Sequence, residues 1–194
     1  MDVGESAVRY ARECIRSEVL GVPQSEVPDG PAFREERGVF VTVNTFPAGE
    51  LRGCIGYPYP VFPLAEAIRG SAESACHDPR FEDLGRDELE HITVEVTLLT
   101  VPEDLEAASP RELRDKVVIG RDGLMIECMG RRGLLLPQVP VEWGWDAEEY
   151  LTHLSLKAGL PPDAWTWDTA RFKSFRGEVF SEKSPGGDVE RRDV

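Results

Sequence analysis

Gly38-Val39-Phe40-Val41-Thr42-Val43-Asn44-Thr45 and Leu51-Arg52-Gly53-Cys54-Ile55-Gly56 are two extended segments on either side of Pro47-Ala48-Gly49-Glu50. The first is β-branched and aromatic, a composition that suits a pleated, half-buried surface. The Pro, Gly and acidic residues between them supply turn geometry. The pair therefore reads as a β-hairpin. Tyr57-Pro58-Tyr59-Pro60 ends its second arm, because proline has no N–H to give to a ladder.

Helices are expected on both sides of this hairpin. From about Glu5 to Leu20, Val8, Ala11, Ile15 and Val19 recur at helical spacing, and Gly21 with Pro23 stops the run. A second helix is expected from about Pro63 to Cys76, with Leu64, Ile68, Ala72 and Ala75 inward. That inner face is poor in bulk, so something must approach it closely. Ile92 to Thr100 alternates as a strand. Ser109-Pro110-Arg111-Glu112 is a helix start with Ser as N-cap. Val117–Ile119, Leu124–Cys128 and Leu134–Leu136 read as short strands of a meander, turned at Gly120–Gly123 and Gly130–Gly133. Asp146 caps a last helix from Ala147 to Ala158, a final strand is expected over Ala170 to Phe180, and residues 181–194 read as a disordered polar tail. Strands and helices mix without strict alternation. The class is α+β, a largely antiparallel sheet flanked by helices, in a single domain over residues 1–180.

The 194 residues suffice for one domain with a proper core. A net charge of -14 repels phosphate backbones and anionic bilayers, so neither nucleic acid nor membrane is an expected partner. No run of about 18 apolar residues is present to span a bilayer, and the acidic N-terminus lacks the apolar stretch of a secretory signal. A cytoplasmic location is expected. Cys14, Cys54, Cys76 and Cys128 lie far apart in sequence, unlike the close pairs of a zinc site, and no metal or cofactor is expected.

Strand alternation puts Leu51, Gly53 and Ile55 on one face, toward the core, and Arg52, Cys54 and Gly56 on the other. A guanidinium beside a thiol favours the reactive thiolate. Gly53 and Gly56 open the backbone to a ligand or a developing oxyanion. The plainer reading has the glycines packing on the small face of the second helix, Cys54 filling a gap and Arg52 pairing with a carboxylate. A cysteine nucleophile needs a base. His77, His91 and His153 read first as capping or surface residues, and Glu95 is a further polar candidate on its strand.

The ordered set of motifs resembles the AMMECR domain family. It comprises Phe40–Val43 with Leu51–Gly56, Asp78-Pro79-Arg80-Phe81, Thr93–Thr100 with Pro102-Glu103, Leu135–Val139, Glu142–Asp146, Leu156–Gly159 and Arg171-Phe172. The resemblance implies a smaller second lobe beside the sheet-and-helix lobe, with the Cys54 segment near a groove between them. It implies no cofactor and no established reaction. Members in many prokaryotes are similar to the first protein of a set that also holds a Memo-like protein and a radical SAM protein. Cys54 (nucleophile), Arg52, Gly53 and Gly56 carry over as site residues, with Asp78, Arg80, Glu95 and Gln138. A histidine at position 77 departs from the family pattern, so a Cys54–His77 dyad has no support there. Two functions remain open: an enzyme acting through Cys54 on a small anionic metabolite, and a binding module whose groove receives a protein or peptide, with Tyr57, Tyr59, Trp143 and Trp145 as anchors.

Overall fold

The computed structural model describes residues 2–192. In chain order the elements are α1 (Val3–Leu20), β1 (Val39–Thr45), β2 (Leu51–Tyr57), α2 (Leu64–Cys76), β3 (Ile92–Leu99), β4 (Glu103–Asp104), α3 (Pro110–Lys116), β5 (Gly123–Cys128), β6 (Arg131–Leu135), α4 (Gln138–Trp143), α5 (Ala147–Lys157), β7 (Arg171–Phe175), β8 (Gly177–Glu182) and β9 (Val189–Arg192). They form two compact units. Of the described residues, one holds 2–99 and 178–192, and the other spans Thr100–Gly177.

In the first unit a five-stranded sheet runs β2-β1-β3-β8-β9. The hairpin forms as expected, β1 pairing antiparallel with β2 on one side and with β3 on the other. Val39, Val41 and Val43 of β1 join Val94, Val96 and Leu98 of β3 in burying one sheet face under α1 and α2. Burial of such a face is the main stabilising term, at about 25 cal/mol per Å² of apolar surface. Gly21 closes α1 in the left-handed region, with φ 64°. The close approach required by the small face of α2 is made by β2. A Cβ placed on Gly53 would lie 2.4 Å from the carbonyl oxygen of Ala75.

Leu51 departs from the expected alternation and is 42% exposed. The register shifts between Val43, opposite Gly53, and Asn44, opposite Leu51, so Arg52 is the extra residue of a bulge. A bulge breaks the period of two and re-aims its side chain. Arg52 consequently leaves the row in which alternation had placed it beside Cys54.

The second unit has its own sheet, β4-β7-β5-β6, and its own core of Leu113, Leu124, Ile126, Tyr150, Leu151 and Leu154. Ser109 Oγ accepts the N–H of Glu112, and Asp146 accepts the N–H groups of Glu148 and Glu149 while Glu149 reaches back, so both caps form as expected. The β5–β6 turn is Met129-Gly130, both at positive φ, which matches the twist of the strands it joins. Val117–Ile119 is not a strand, because the Asp122 carboxylate accepts the Val118 N–H and holds that stretch in a turn. The short helix α4 lay hidden behind Pro137 and Pro140. Proline is tolerated in a first helical turn, and Gly144 ends this helix with φ 67°.

Two expectations at the C-terminus change. The strand expected over Ala170–Phe180 is two strands in different sheets, β7 and β8. Arg176 separates them, exchanging backbone and hydroxyl hydrogen bonds with Thr100. The stretch from Ser181, expected as a disordered tail, finishes β8 and returns as β9 in an antiparallel hairpin. Glu182 explains the order, since its buried carboxylate accepts Arg12 from α1 and the N–H of Val94. Residues 193 and 194 lie outside the described residues. Among the described residues, no helix is long and apolar enough to cross a membrane.

Candidate functional site

The site is built on β2, an edge strand of the first sheet. Cys54 stands opposite Thr42 of β1, and Thr42 stands opposite Glu95 of β3. These three side chains form one row on the face away from the core, because their neighbours Val41, Val43, Val94 and Val96 are the buried ones. Thr42 Oγ1 donates to Cys54 Sγ at 3.3 Å. Arg192 of β9 reaches Glu95 at 3.4 Å. Burial raises the Glu95 carboxyl above its ordinary range, and Arg192 offsets part of that rise.

At the open edge, Cys54 turns its peptide groups outward, and the 78–81 turn receives them. Asp78 Oδ2 accepts the Cys54 N–H at 2.9 Å, and Arg80 Nη2 donates to the Cys54 carbonyl at 3.3 Å. Asp78 also accepts the backbone N–H of Arg80 and two bonds from its guanidinium. The Arg80 bonds, with those from the two backbone N–H groups, hold the Asp78 carboxyl far below the usual carboxylate range. Only 1% of its side-chain surface is exposed, against 55% for Arg80. An edge strand ordinarily presents unpaired groups; at Cys54 both are satisfied by side chains, which leaves the thiol carrier rigid.

Arg52 is committed elsewhere. It forms a two-pronged pair with Glu88, at 2.7 and 3.0 Å, and donates to the carbonyls of Glu82 and Asp83. Its guanidinium and that of Arg80 lie 5.9 and 5.6 Å from the Phe81 ring centroid. Arg52 therefore fastens the 82–88 loop to β2, and the guanidinium at the Cys54 backbone is that of Arg80.

Cys54 is half-buried, whereas Cys14, Cys76 and Cys128 are buried. Burial pushes the Cys14 thiol up to about 11 and the Cys76 thiol up to about 12. His77 and His91, the histidines of the first unit, are not in this row. His77 bonds to Asp83 and Glu18, which raise its pKa. The His91 carbonyl accepts from Phe46. His153 stacks on Trp145 in the second unit, ring centroids 3.7 Å apart. A cavity of about 1160 Å³ also belongs to the second unit, lined by Met129, Trp165, Trp167 and Phe172 among others, and is not at Cys54.

The AMMECR1 family model matches residues 8–180. A protein of Methanocaldococcus jannaschii is 48% identical over 192 residues, covering 97% of this chain and 94% of its own. A protein of Thermococcus gammatolerans is 46% identical, covering 97% and 95%. The crystal structure of an uncharacterized protein from Pyrococcus horikoshii superposes with a TM-score of 0.78 at 43% identity, covering 98% of this chain and 97% of that one.

The chain belongs to the AMMECR1 family.

The AMMECR1 match takes in Thr42, Cys54, Asp78, Arg80 and Glu95, while Arg192 falls beyond its end. Of the residues singled out in the sequence, the structure gathers Cys54, Asp78 and Arg80 by hydrogen bonds and brings Glu95 into their row through Thr42. Gly53 is packed against α2, and Gly56 against Phe40 and the Val39 carbonyl. Gln138 is exposed at the start of α4 in the second unit. Thr42 and Glu88 escaped the sequence reading. The hairpin register was the available signal for Thr42, since it stands directly opposite the cysteine. Nothing local marked Glu88, which reaches Arg52 from 36 residues away.

Proposed function

We propose that this AMMECR1 chain acts on a small anionic metabolite through Cys54 as nucleophile. The observation that carries the reading is that Cys54 alone of the four cysteines is solvent-accessible, with its sulfur receiving a hydroxyl hydrogen bond and its backbone clamped at both polar groups. A rigid carrier spares the cost of ordering a nucleophile. The half-exposed Arg80 guanidinium, bonded to the Cys54 carbonyl and to Asp78, offers its remaining N–H donors to an anionic substrate. In this role Arg80 takes the place that the sequence had given to Arg52. A cytoplasmic location goes with the reading, because a reducing compartment keeps the thiol free.

The test is alkylation of the folded protein, read at each cysteine by mass spectrometry. Cys54 should react first, and Arg80→Ala should slow the reaction with a negatively charged reagent more than with a neutral one. If Cys54 stays silent until denaturant is added, the nucleophile role is lost.

A second reading rests on a different observation. Trp143 is 70% exposed and stacks on Trp145, which stacks on His153. An exposed indole held by a second ring is the kind of rigid anchor that protein partners use. A partner such as a Memo-like or a radical SAM protein would then dock on α4. Loss of complex formation on Trp143→Ala, with Cys54→Ser harmless, would favour this reading over the first.

A further inference from the structure

The row that holds Cys54 also contains what a cysteine nucleophile needs next, a proton acceptor. We propose that Glu95 accepts the Cys54 proton through the Thr42 hydroxyl. The inference rests on the reading of Cys54 as a reactive thiol and supplies the base that reading lacks.

Three observations carry it. Thr42 is paired in register with Cys54 on one side and with Glu95 on the other, so it is the residue that stands between them in the row. Directly opposed residues in antiparallel strands have Cβ atoms about 5 Å apart, within reach of a glutamate side chain. The Thr42 oxygen already lies 3.3 Å from the sulfur. The Glu95 side chain is only 17% exposed, so bulk water competes little for its carboxylate. Within the first unit His77 offers no rival, being held by Glu18 and Asp83.

The transfer balances without any further reagent. Thr42 passes its own hydroxyl proton to the Glu95 carboxylate and takes the proton of the Cys54 thiol. A thiol and a carboxylate become a thiolate and a carboxylic acid, and Thr42 ends as donor to sulfur, the direction in which its hydrogen bond is drawn. The charged groups around the pair are few. Arg192 faces Glu95 from β9; Asp78 and Arg80 flank Cys54 from the 78–81 turn; Arg52, on β2 itself, is neutralised by Glu88. The upward push of burial on the Glu95 carboxyl suits an acceptor, because it makes the carboxylate a stronger base.

A relay and a mere neighbouring charge predict opposite results. A nearby carboxylate disfavours a thiolate by repulsion, so its removal should make the thiol more reactive. A relay instead keeps a fixed share of thiolate at acid pH, as a pair titrates jointly.

The experiment is the rate of Cys54 alkylation by iodoacetamide from about pH 5 to about pH 9, in the unaltered protein and in Glu95→Gln, Thr42→Val and Thr42→Ser. Protection of Cys14, Cys76 and Cys128 in each variant certifies its fold. The unaltered protein and Thr42→Ser should show a rate that levels off on the acid side. Glu95→Gln and Thr42→Val should keep falling and be slower there by at least about tenfold, the lower range of what a positioned base contributes. A faster Glu95→Gln variant, or one with an unchanged profile, overturns the relay and leaves Cys54 as a reactive thiol. A Cys54 that resists the reagent in the unaltered protein overturns both.

Discussion

Asp78 reaches Cys54 from 24 residues further along the chain and accepts its main-chain N–H from a carboxylate almost sealed from solvent. Asp78 thus does for an edge strand what a neighbouring strand would otherwise do. Its four hydrogen bonds tie the end of α2, the 78–81 turn and β2 into one rigid corner.

Replacing Asp78 should therefore be costly. Asp78→Ala leaves the Cys54 N–H without its acceptor and strips Arg80 of its partner. A loss of about 2–4 kcal/mol is expected, the range for a buried charged acceptor removed from its donors. The midpoint of urea unfolding reads the loss, and Cys54 alkylation should become less sharply dependent on the native fold. A change within about 0.5 kcal/mol would mean the corner holds without its carboxylate.

The same carboxylate sets a pH limb. Its folded pKa lies below the unfolded value of about 3.9. Its contribution is therefore present in full above that unfolded value and is lost as pH falls toward the lower folded one. Between about pH 5 and about pH 2, the unaltered protein should lose more stability than Asp78→Asn, which has no such proton to take up. Parallel acid limbs would show that Asp78 titrates alike in both states.

Gly53→Ala tests the approach of β2 to α2. The added methyl would sit 2.4 Å from the Ala75 carbonyl oxygen, a backbone atom that cannot swing aside. Strain of this kind costs about 1–3 kcal/mol, and calorimetry should show a lower Tm. An unchanged Tm would mean that α2 yields, and that Gly53 is there for a reason other than space.

The hairpin, both main helices of the first unit and both capped helices of the second were legible because each rests on local signals: alternation, helical spacing, and Ser or Asp at an N-cap. The site was legible only in part. Cys54 stood out by its neighbours, but Arg52 was assigned to it on a strict period of two, and the bulge breaks that period. No residue within the hexapeptide announces a bulge. The Arg52–Glu88 and Arg12–Glu182 pairs join positions 36 and 170 residues apart, and such long-range partners are invisible to any window of local pattern. Glu182 also explains why a polar C-terminal stretch folds: composition counted its charge as solvated, whereas tertiary structure gave that charge a buried partner.

Arg192 offers the sharpest check on how Glu95 is tuned. It lies at 3.4 Å from the carboxylate, half-exposed, and lowers a pKa that burial has raised. Arg192→Ala removes that offset, so the Glu95 carboxyl rises further and holds a proton more readily. If Glu95 accepts the Cys54 proton, a stronger base leaves a larger share of thiolate at acid pH. The acid-side alkylation rate should then increase, by up to about fivefold for a surface pair worth about 0–1 kcal/mol. Glu95→Gln should move the same rate down, and the double variant should behave as Glu95→Gln alone, since Arg192 then has no carboxylate to tune. If Arg192→Ala instead slows alkylation in the absence of Glu95 as well, Arg192 acts on the thiol or the reagent directly, and the row from Cys54 to Glu95 is not the path its proton takes.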